Sequence, residues 1–264
     1  MRMVQSPMGG LTSLIQGNIG KNLIFLEMVD STNTLAMELG DRNASHGTVV
    51  IAESQIHGRG RLGREWASPP GGNIYMSILL RPGIAIKDAA LLTPLAAVAS
   101  ARSLRRLTGL KIEIKWPNDL MASGRKLGGI LTETKGIDKK VVFVVLGIGI
   151  NVNIELGDLP EEMREIATSV MHETKREHPR TMLLASILKE IDSWYSIFLK
   201  GGTGHLLSEW KRLSSTLGKT VCVETGGETL FGLAEDIDSD GRLLLKLPSG
   251  QVKRICSGDV KTFR

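Results

Sequence analysis

The chain has 264 residues, 42% hydrophobic and 23% charged, with 33 Lys and Arg against 28 Asp and Glu for a net charge of +5. This composition excludes wholesale disorder and suits one large domain, or a medium domain with a small one. Glycines without a triplet period exclude collagen, and no apolar run reaches the roughly 18 residues of a membrane span.

Residues 1–20 lack the apolar core and small-residue exit of a secretory signal. Leu23 to Val29 reads as a strand. Asp30-Ser31-Thr32-Asn33 supplies N-cap residue types, and Leu35, Ala36 and Leu39 form a helical stripe ending at Gly40. Strands are predicted at Thr48 to Ala52 and Asn73 to Arg81. A helix follows from Asp88 to Leu107, with Pro94 kinking it or delaying its start and Gly109 ending it. Lys111 to Trp116 has strand period, and Leu127 to Thr134 and Val141 to Ile150 are two further strands. Three helical patterns come next: Pro160 to His172, Thr181 to Leu199 and Thr203 to Leu217. In the second, Leu184, Ile187, Leu188, Ile191, Tyr195 and Phe198 share a face.

After Gly218 the texture changes to short strands at Thr220, Thr229 and Leu243, separated by Gly226-Gly227, Asp240-Gly241 and Pro248-Ser249-Gly250. The expected class is α+β: a mostly antiparallel sheet with helices over residues 1–217, then a small SH3-like β barrel over 218–264. Cys222 and Cys256 sit at no metal-ligand spacing and read as reduced core residues.

Four stretches carry chemistry. Gly58-Arg59-Gly60-Arg61-Leu62-Gly63-Arg64-Glu65-Trp66 spells GxGxxG. A dinucleotide site needs a strand just before it and a helix just after, and Trp66-Ala-Ser-Pro-Pro-Gly-Gly cannot be a helix. Glycines instead let the backbone approach a ligand, while arginines offer forks for carboxylate or phosphate. Ordering nine residues costs on the order of 10 kcal/mol, and each charge-assisted hydrogen bond returns only about 1.5–3 kcal/mol. The loop is therefore either a lid that closes over an anion with several bonds or a solvated basic turn. Lys115-Trp116-Pro117-Asn118-Asp119 is either a stiff corner presenting polar groups or an Asx-type turn into a hairpin. Lys126, ahead of Gly128 and Gly129, either meets a ligand against the backbone or blunts an edge strand. Gly147 and Gly149 leave either a groove ending at Asn151 or a tightly packed face.

Taken in order, DSTN at 30–33, ESQ leading into GRGRLGREW, KWPNDL at 115–120, RKLGGIL at 125–131 and GIGINVN at 147–153 resemble the biotin–protein ligases. The resemblance spans about residues 22–155 closely and the tail more loosely. It implies a fold related to class II aminoacyl-tRNA synthetases and lipoate ligases. It also implies two half-reactions: biotin and ATP give biotinyl-5′-AMP and pyrophosphate, and a lysine of a biotin carboxyl carrier protein then attacks the mixed anhydride. By the same resemblance, Ser31, Thr32, Asn33, Gln55 and Gly129 bind biotin. Arg59, Gly60 and Arg61 form the loop that shields the adenylate. Lys126 contacts carboxylate and phosphate, and Arg64, Trp66, Asn118 and Asn151 attend the nucleotide. Lys126, Arg61 and Arg59 are the candidate catalytic residues, with Asp119 a candidate for deprotonating the acceptor amine. No protein metal site is expected, and Mg²⁺ comes with the triphosphate.

Bifunctional members carry an N-terminal winged helix-turn-helix. About 20 residues precede Leu23, too few for three helices and a wing, so no DNA binding or repression is expected. The resemblance admits a homodimer paired through sheet edges, for which Val141 to Ile150 is apolar enough, although an internal strand reads the same. ATP use without export or membrane segments points to the cytoplasm.

Overall fold

A computed structural model describes residues 10–262 of the chain. Residues 1–9, within the stretch read above for a signal, lie outside the described residues. After a single turn, α1 (Leu11–Leu14), strands β1 (Asn22–Val29) and β2 (Thr48–Gln55) pair in parallel, Asn22 opposite Thr48. Helix α2 (Thr32–Asp41) supplies the crossover that parallel strands require. Ser31 caps it, accepting from the Thr34 N–H. The helix does not stop at Gly40. That glycine sits in the last turn because a Cβ there would come within 2.5 Å of the Phe143 ring.

β3 (Ile74–Leu80) joins β2 antiparallel and is buried throughout. A 3₁₀ segment (Ile86–Leu91) then leads into α3 (Leu92–Thr108), so Pro94 delays the helix and stands in its first turn, where its missing N–H is not needed. Gly109, left-handed at φ 76°, ends it. A meander follows: β4 (Ile112–Lys115), β5 (Asp119–Ala122), β6 (Arg125–Ile137) and β7 (Lys140–Ile150). β5 is named by no strand run in the sequence and is offered only by the hairpin that an Asx-type turn at Asn118-Asp119 leads into; it pairs with β4 on one side and β6 on the other.

The sheet order is β1-β2-β3-β7-β6-β5-β4, antiparallel except for the first pair. β7 is therefore central, between β3 and β6. This overturns Val141 to Ile150 as a pairing edge; the run is apolar because both faces are covered.

Two expected helices are shorter than their patterns. Pro160 to His172 splits into α4 (Glu161–Arg164) and α5 (Val170–Thr174). Between them the Lys126 N–H donates to Ile166 O and the Thr168 N–H to Lys126 O, each at 2.8 Å. β7 pairing ends opposite Gly128, so the backbone of Lys126 takes this segment as its partner instead. α6 (Arg180–Leu199) buries all six stripe residues. α7 (Thr203–Leu213) stops early because Ser214 and Ser215 pair with Ile114.

Helices α3, α6 and α7 cover one sheet face, and α2 covers the other over Val50, Ala52, Leu79 and Val145. The tail forms a five-stranded antiparallel sheet of β8 (Thr220–Thr225), β9 (Glu228–Ile237), β10 (Leu243–Lys246), β11 (Val252–Ile255) and β12 (Asp259–Thr262). Its order is β11-β10-β9-β8-β12. The last two strands are too short and too charged to read as strands alone. Trp116 ties the sheets together, its indole N–H donating to Gly241 O at 3.1 Å. Both cysteines are free. Cys222 is buried as expected, but Cys256 is exposed, in the turn after β11. Among the described residues no helix is long and apolar enough to cross a membrane.

Candidate functional site

A cavity of about 230 Å³ opens between the start of α2, the loop after β2, the glycine-rich ends of β6 and β7, and the tail. Every residue singled out by the resemblance lines it: Ser31, Thr32, Asn33, Gln55, Arg59, Gly60, Arg61, Arg64, Trp66, Asn118, Lys126, Gly129 and Asn151.

One end is a buried polar recess. Capping by Ser31 leaves Thr32 and Asn33 in the first turn of α2, facing the sheet. Gln55 Oε1 accepts from the Thr32 backbone N–H at 2.8 Å and hydroxyl at 3.0 Å, while its amide donates to Ser68 Oγ at 2.8 Å. The Ser77 hydroxyl donates to Asn33 Oδ1 at 2.6 Å. Asn33 in turn donates to Glu133 Oε2 at 2.9 Å. Ser77 and Glu133 were missed, although Ser77 left a signal: it is the one small polar residue in the apolar run Ile74 to Leu80.

Gly147 and Gly149 serve both purposes that the sequence left open. A Cβ on Gly147 would overlap the Asn33 carboxamide, and one on Gly149 would fall 2.6 Å from the Trp66 ring. The groove exists because the strand lacks side chains there, and Asn33 and Trp66 pack into it. The Trp66 indole N–H is buried without an acceptor.

The loop is a small hairpin. The Gly60 N–H donates to Arg64 O at 2.7 Å and the Trp66 N–H to Gly58 O at 2.8 Å, around a 3₁₀ turn at Arg61–Gly63. Leu62 is left-handed at the tip and 69% exposed. β2 runs to Gln55, beyond the Thr48 to Ala52 core read from sequence, but no helix follows the glycines. The dinucleotide geometry is absent.

Each loop arginine reaches a different element. Arg59 pairs with Glu133 of β6 at 2.9 Å. Arg61 donates to Asn118 Oδ1 at 3.1 Å and to Gly258 O at 3.5 Å. Arg64 forks onto Asp259 of β12. Burial lowers the pKa of Arg61, partly opposed by Asp259 and Asp119, but a guanidinium stays charged in any case. The C-terminal sheet thus belongs to the site wall, a role the sequence did not assign to Asp259.

Opposite the loop, the Lys126 ammonium lies 2.8 Å from Asp119 and 5.4 Å from the centre of the Trp66 ring. Asn118 is fixed by donating to Ile130 O at 2.8 Å, and Asn151 by donating to Thr168 O at 3.0 Å. Burial lowers the pKa of Lys115 behind them, with Asp119 opposing. Arg59, Arg61, Arg64 and Lys126 therefore line one cavity that also contains the polar recess, an arrangement suited to holding an uncharged ring at one end and anions at the other. Among the described residues no cluster of His, Cys, Asp and Glu is arranged to hold a metal ion.

Residues 25–151 match the Biotin/lipoate A/B protein ligase family, and residues 216–261 match the Biotin protein ligase C terminal domain. The chain is 34% identical to a biotin–[acetyl-CoA-carboxylase] ligase of Mycobacterium tuberculosis, covering 90% of this chain and 89% of that one. It is 37% identical to a bifunctional ligase/repressor BirA of Bacillus spizizenii over 92% of this chain and 74% of that one. Among solved structures, a biotin protein ligase from Aquifex aeolicus in complex with biotin and ATP superposes with a TM-score of 0.74 at 32% identity, covering 92% of this chain and 99% of that chain.

Proposed function

We infer the activity from one premise: the chain belongs to the biotin/lipoate A/B protein ligase family, as a biotin protein ligase. It joins biotin to a lysine of a biotin carboxyl carrier protein, through biotinyl-5′-AMP with release of pyrophosphate. The observation that carries this reading is the convergence of Lys126, Arg59 and Arg61 on the cavity that contains the Ser31–Asn33 recess.

The ureido ring of biotin suits that recess, where Thr32, Asn33 and Gln55 offer both donors and acceptors, with Ser77 behind them holding Asn33. Its carboxylate must then meet the α-phosphate of ATP. Two unit charges about 4 Å apart repel by roughly 4 kcal/mol at an effective dielectric near 20. Lys126 and Arg61 offset that repulsion and stabilise charge building on the phosphorus oxygens. Arg64, Trp66, Asn118 and Asn151 attend the nucleotide, and Gly60 and Gly129 bring backbone close to the ligand. Mg²⁺ bound to the triphosphate would supply further positive charge against the same repulsion. The mixed anhydride hydrolyses readily, so the loop shields it as well as positions it. In the second step the acceptor amine must be neutral to attack. Asp119, one of the carboxylates lining the cavity with Glu65 and Asp259, is our candidate to take its proton because it stands beside Lys126.

Of the described residues, those up to 217 supply the catalytic unit and those from 218 a wall of it. The reaction is assigned to the cytoplasm, where ATP and carboxylase carriers meet. A homodimer made by sheet extension would use β1, because Ser214 and Ser215 occupy the outer side of β4. A nucleic-acid role is disfavoured, because it leaves the cavity walled by the glycine-rich ends of β6 and β7 unexplained. Lipoate or octanoate transfer is disfavoured by the polarity of the recess, which an acyl chain would leave unpaired.

The test is incubation with biotin, labelled ATP and Mg²⁺, followed by addition of a carrier domain. Pyrophosphate release and an acid-labile biotinyl nucleotide, then stable label on the carrier, are expected. Pyrophosphate release that is indifferent to biotin but stimulated by lipoate would overturn the assignment.

A further inference from the structure

We propose that Glu133 is a positioning residue that couples the ring recess to the arginine loop, one carboxylate holding Asn33 and Arg59 at once. The proposal rests on reading the cavity as a biotin site and adds to it a residue that the sequence did not single out.

Glu133 stands on β6 with its side chain 22% exposed. Oε1 accepts from Arg59 Nη2 at 2.9 Å, and Oε2 accepts from Arg59 Nη1 at 3.1 Å. Oε2 also accepts from Asn33 Nδ2 at 2.9 Å. A carboxylate offers about four acceptor directions, so most of its capacity is taken by groups from two elements distant in sequence. The paired N–H bonds fix the plane of the guanidinium.

The third bond fixes the carboxamide of Asn33. With Nδ2 committed to Glu133, Oδ1 turns to the Ser77 hydroxyl at 2.6 Å. Rotated end for end, the amide would set oxygen against carboxylate. Glu133, at a shorter distance than the Leu131 carbonyl that Nδ2 also reaches at 3.4 Å, sets which end of Asn33 a ring meets, and it sets where Arg59 rests.

Arg61 and Arg64 are anchored elsewhere, on Asn118 and Asp259. Gln55 reaches the end of the loop through Ser68, whose hydroxyl donates to Trp66 O at 2.9 Å; the tie through Glu133 is the one that links a loop arginine to the recess. A ligand that holds Asn33 in place steadies the carboxylate on which Arg59 closes. By reciprocity, a closed loop tightens the recess.

The first measurement needs no substrate. Thermolysin cuts before leucine, and Leu62 is exposed at the loop tip. Glu133→Gln keeps the size of the side chain but loses its charge and sets an amide against the guanidinium. Cleavage of the empty protein before Leu62 should accelerate about fivefold. Arg59→Ala, at a side chain already 46% exposed, should accelerate it equally, and the double variant should go no further than either. The second measurement is a split in the adenylation kinetics. Glu133→Gln should raise KM for biotin about tenfold, leave KM for ATP within about twofold, and be partly rescued by Glu133→Asp. A merely structural lesion would move both constants. Cleavage at the parental rate, or accelerations that multiply in the double variant, would overturn the proposal. If the parent itself released no pyrophosphate with biotin, the reading of the cavity would fall, and the cleavage arms would still judge the tie.

Discussion

The ammonium of Lys126 stands 2.8 Å from the Asp119 carboxylate on the paired strands β5 and β6. It is reached diagonally across the register shift at Leu120/Met121, since Asp119 itself lies opposite Gly129 and Lys126 opposite Met121. The pair is held from above by the Trp66 ring, 5.4 Å from the ammonium. A substrate anion must therefore compete with Asp119 for Lys126 or share it, which keeps the cation in place between turnovers.

Lys126→Ala should reduce adenylate formation about a hundredfold to a thousandfold, the scale of losing one preorganised cation at a developing charge. The melting temperature should change little, since the lysine side chain is 35% exposed. Lys126→Arg should recover only part of the rate, because a planar fork does not replace a point charge. Single-turnover pyrophosphate release, with calorimetry alongside, measures both. A variant that adenylates normally would remove Lys126 from the chemistry.

Asp259 belongs to the tail but anchors Arg64 of the loop. Asp259→Ala should raise KM for ATP about fivefold to tenfold and speed proteolysis between Gly58 and Arg64 in the empty protein. Biotin with ATP should suppress that proteolysis in the parent. Titration of ATP against each protein, with cleavage followed by mass spectrometry, is the measurement. Unchanged values in the variant would reduce the tail to a neighbour of the site.

The strand glycines should be intolerant for different reasons. Gly147→Ala overlaps the Asn33 carboxamide and Gly149→Ala presses on Trp66. Each should cost about 1–3 kcal/mol of stability from overpacking. Gly147→Ala should weaken biotin binding more than ATP binding, and Gly149→Ala the reverse. Isothermal titration with each ligand separates them.

Glu209 carries a pH dependence remote from the site. Hydrogen bonds from Arg212 and Arg102 outweigh burial and hold its carboxyl at about 2. The unfolded chain protonates the same group near about 4.3. Its contribution to stability is thus complete above about pH 5 and is lost as pH falls through 2. Glu209→Gln should destabilise the protein by about 1 kcal/mol at neutral pH, a modest value because both arginines are solvated. The difference from the parent should close as the pH is lowered toward that value in urea titrations.

Motifs governed by neighbours a few residues away were legible before any fold was known: the N-cap residue types at Asp30 to Asn33, the stripe of α6, the glycine-rich loop with its arginines, and Lys126 beside its glycines. The family resemblance followed from their order. Features that depend on distant partners were not legible. β5 is one of two readings of its stretch until β4 and β6 flank it. The pattern from Pro160 to His172 reads as one helix until the unpaired backbone of Lys126 draws out residues 166–168.

The site divides along the same line. Local spacing named the cations and polar groups, because their residue types and glycine neighbours suffice to mark a place where backbone and charge meet a ligand. Their partners came from folding alone: Glu133 lies 74 residues from Arg59, and Asp259 lies 195 from Arg64. An acidic residue on a strand carries no mark of which arginine it will face. Sheet register and the docking of the tail make that choice, and both are set by burial of surfaces far apart along the chain.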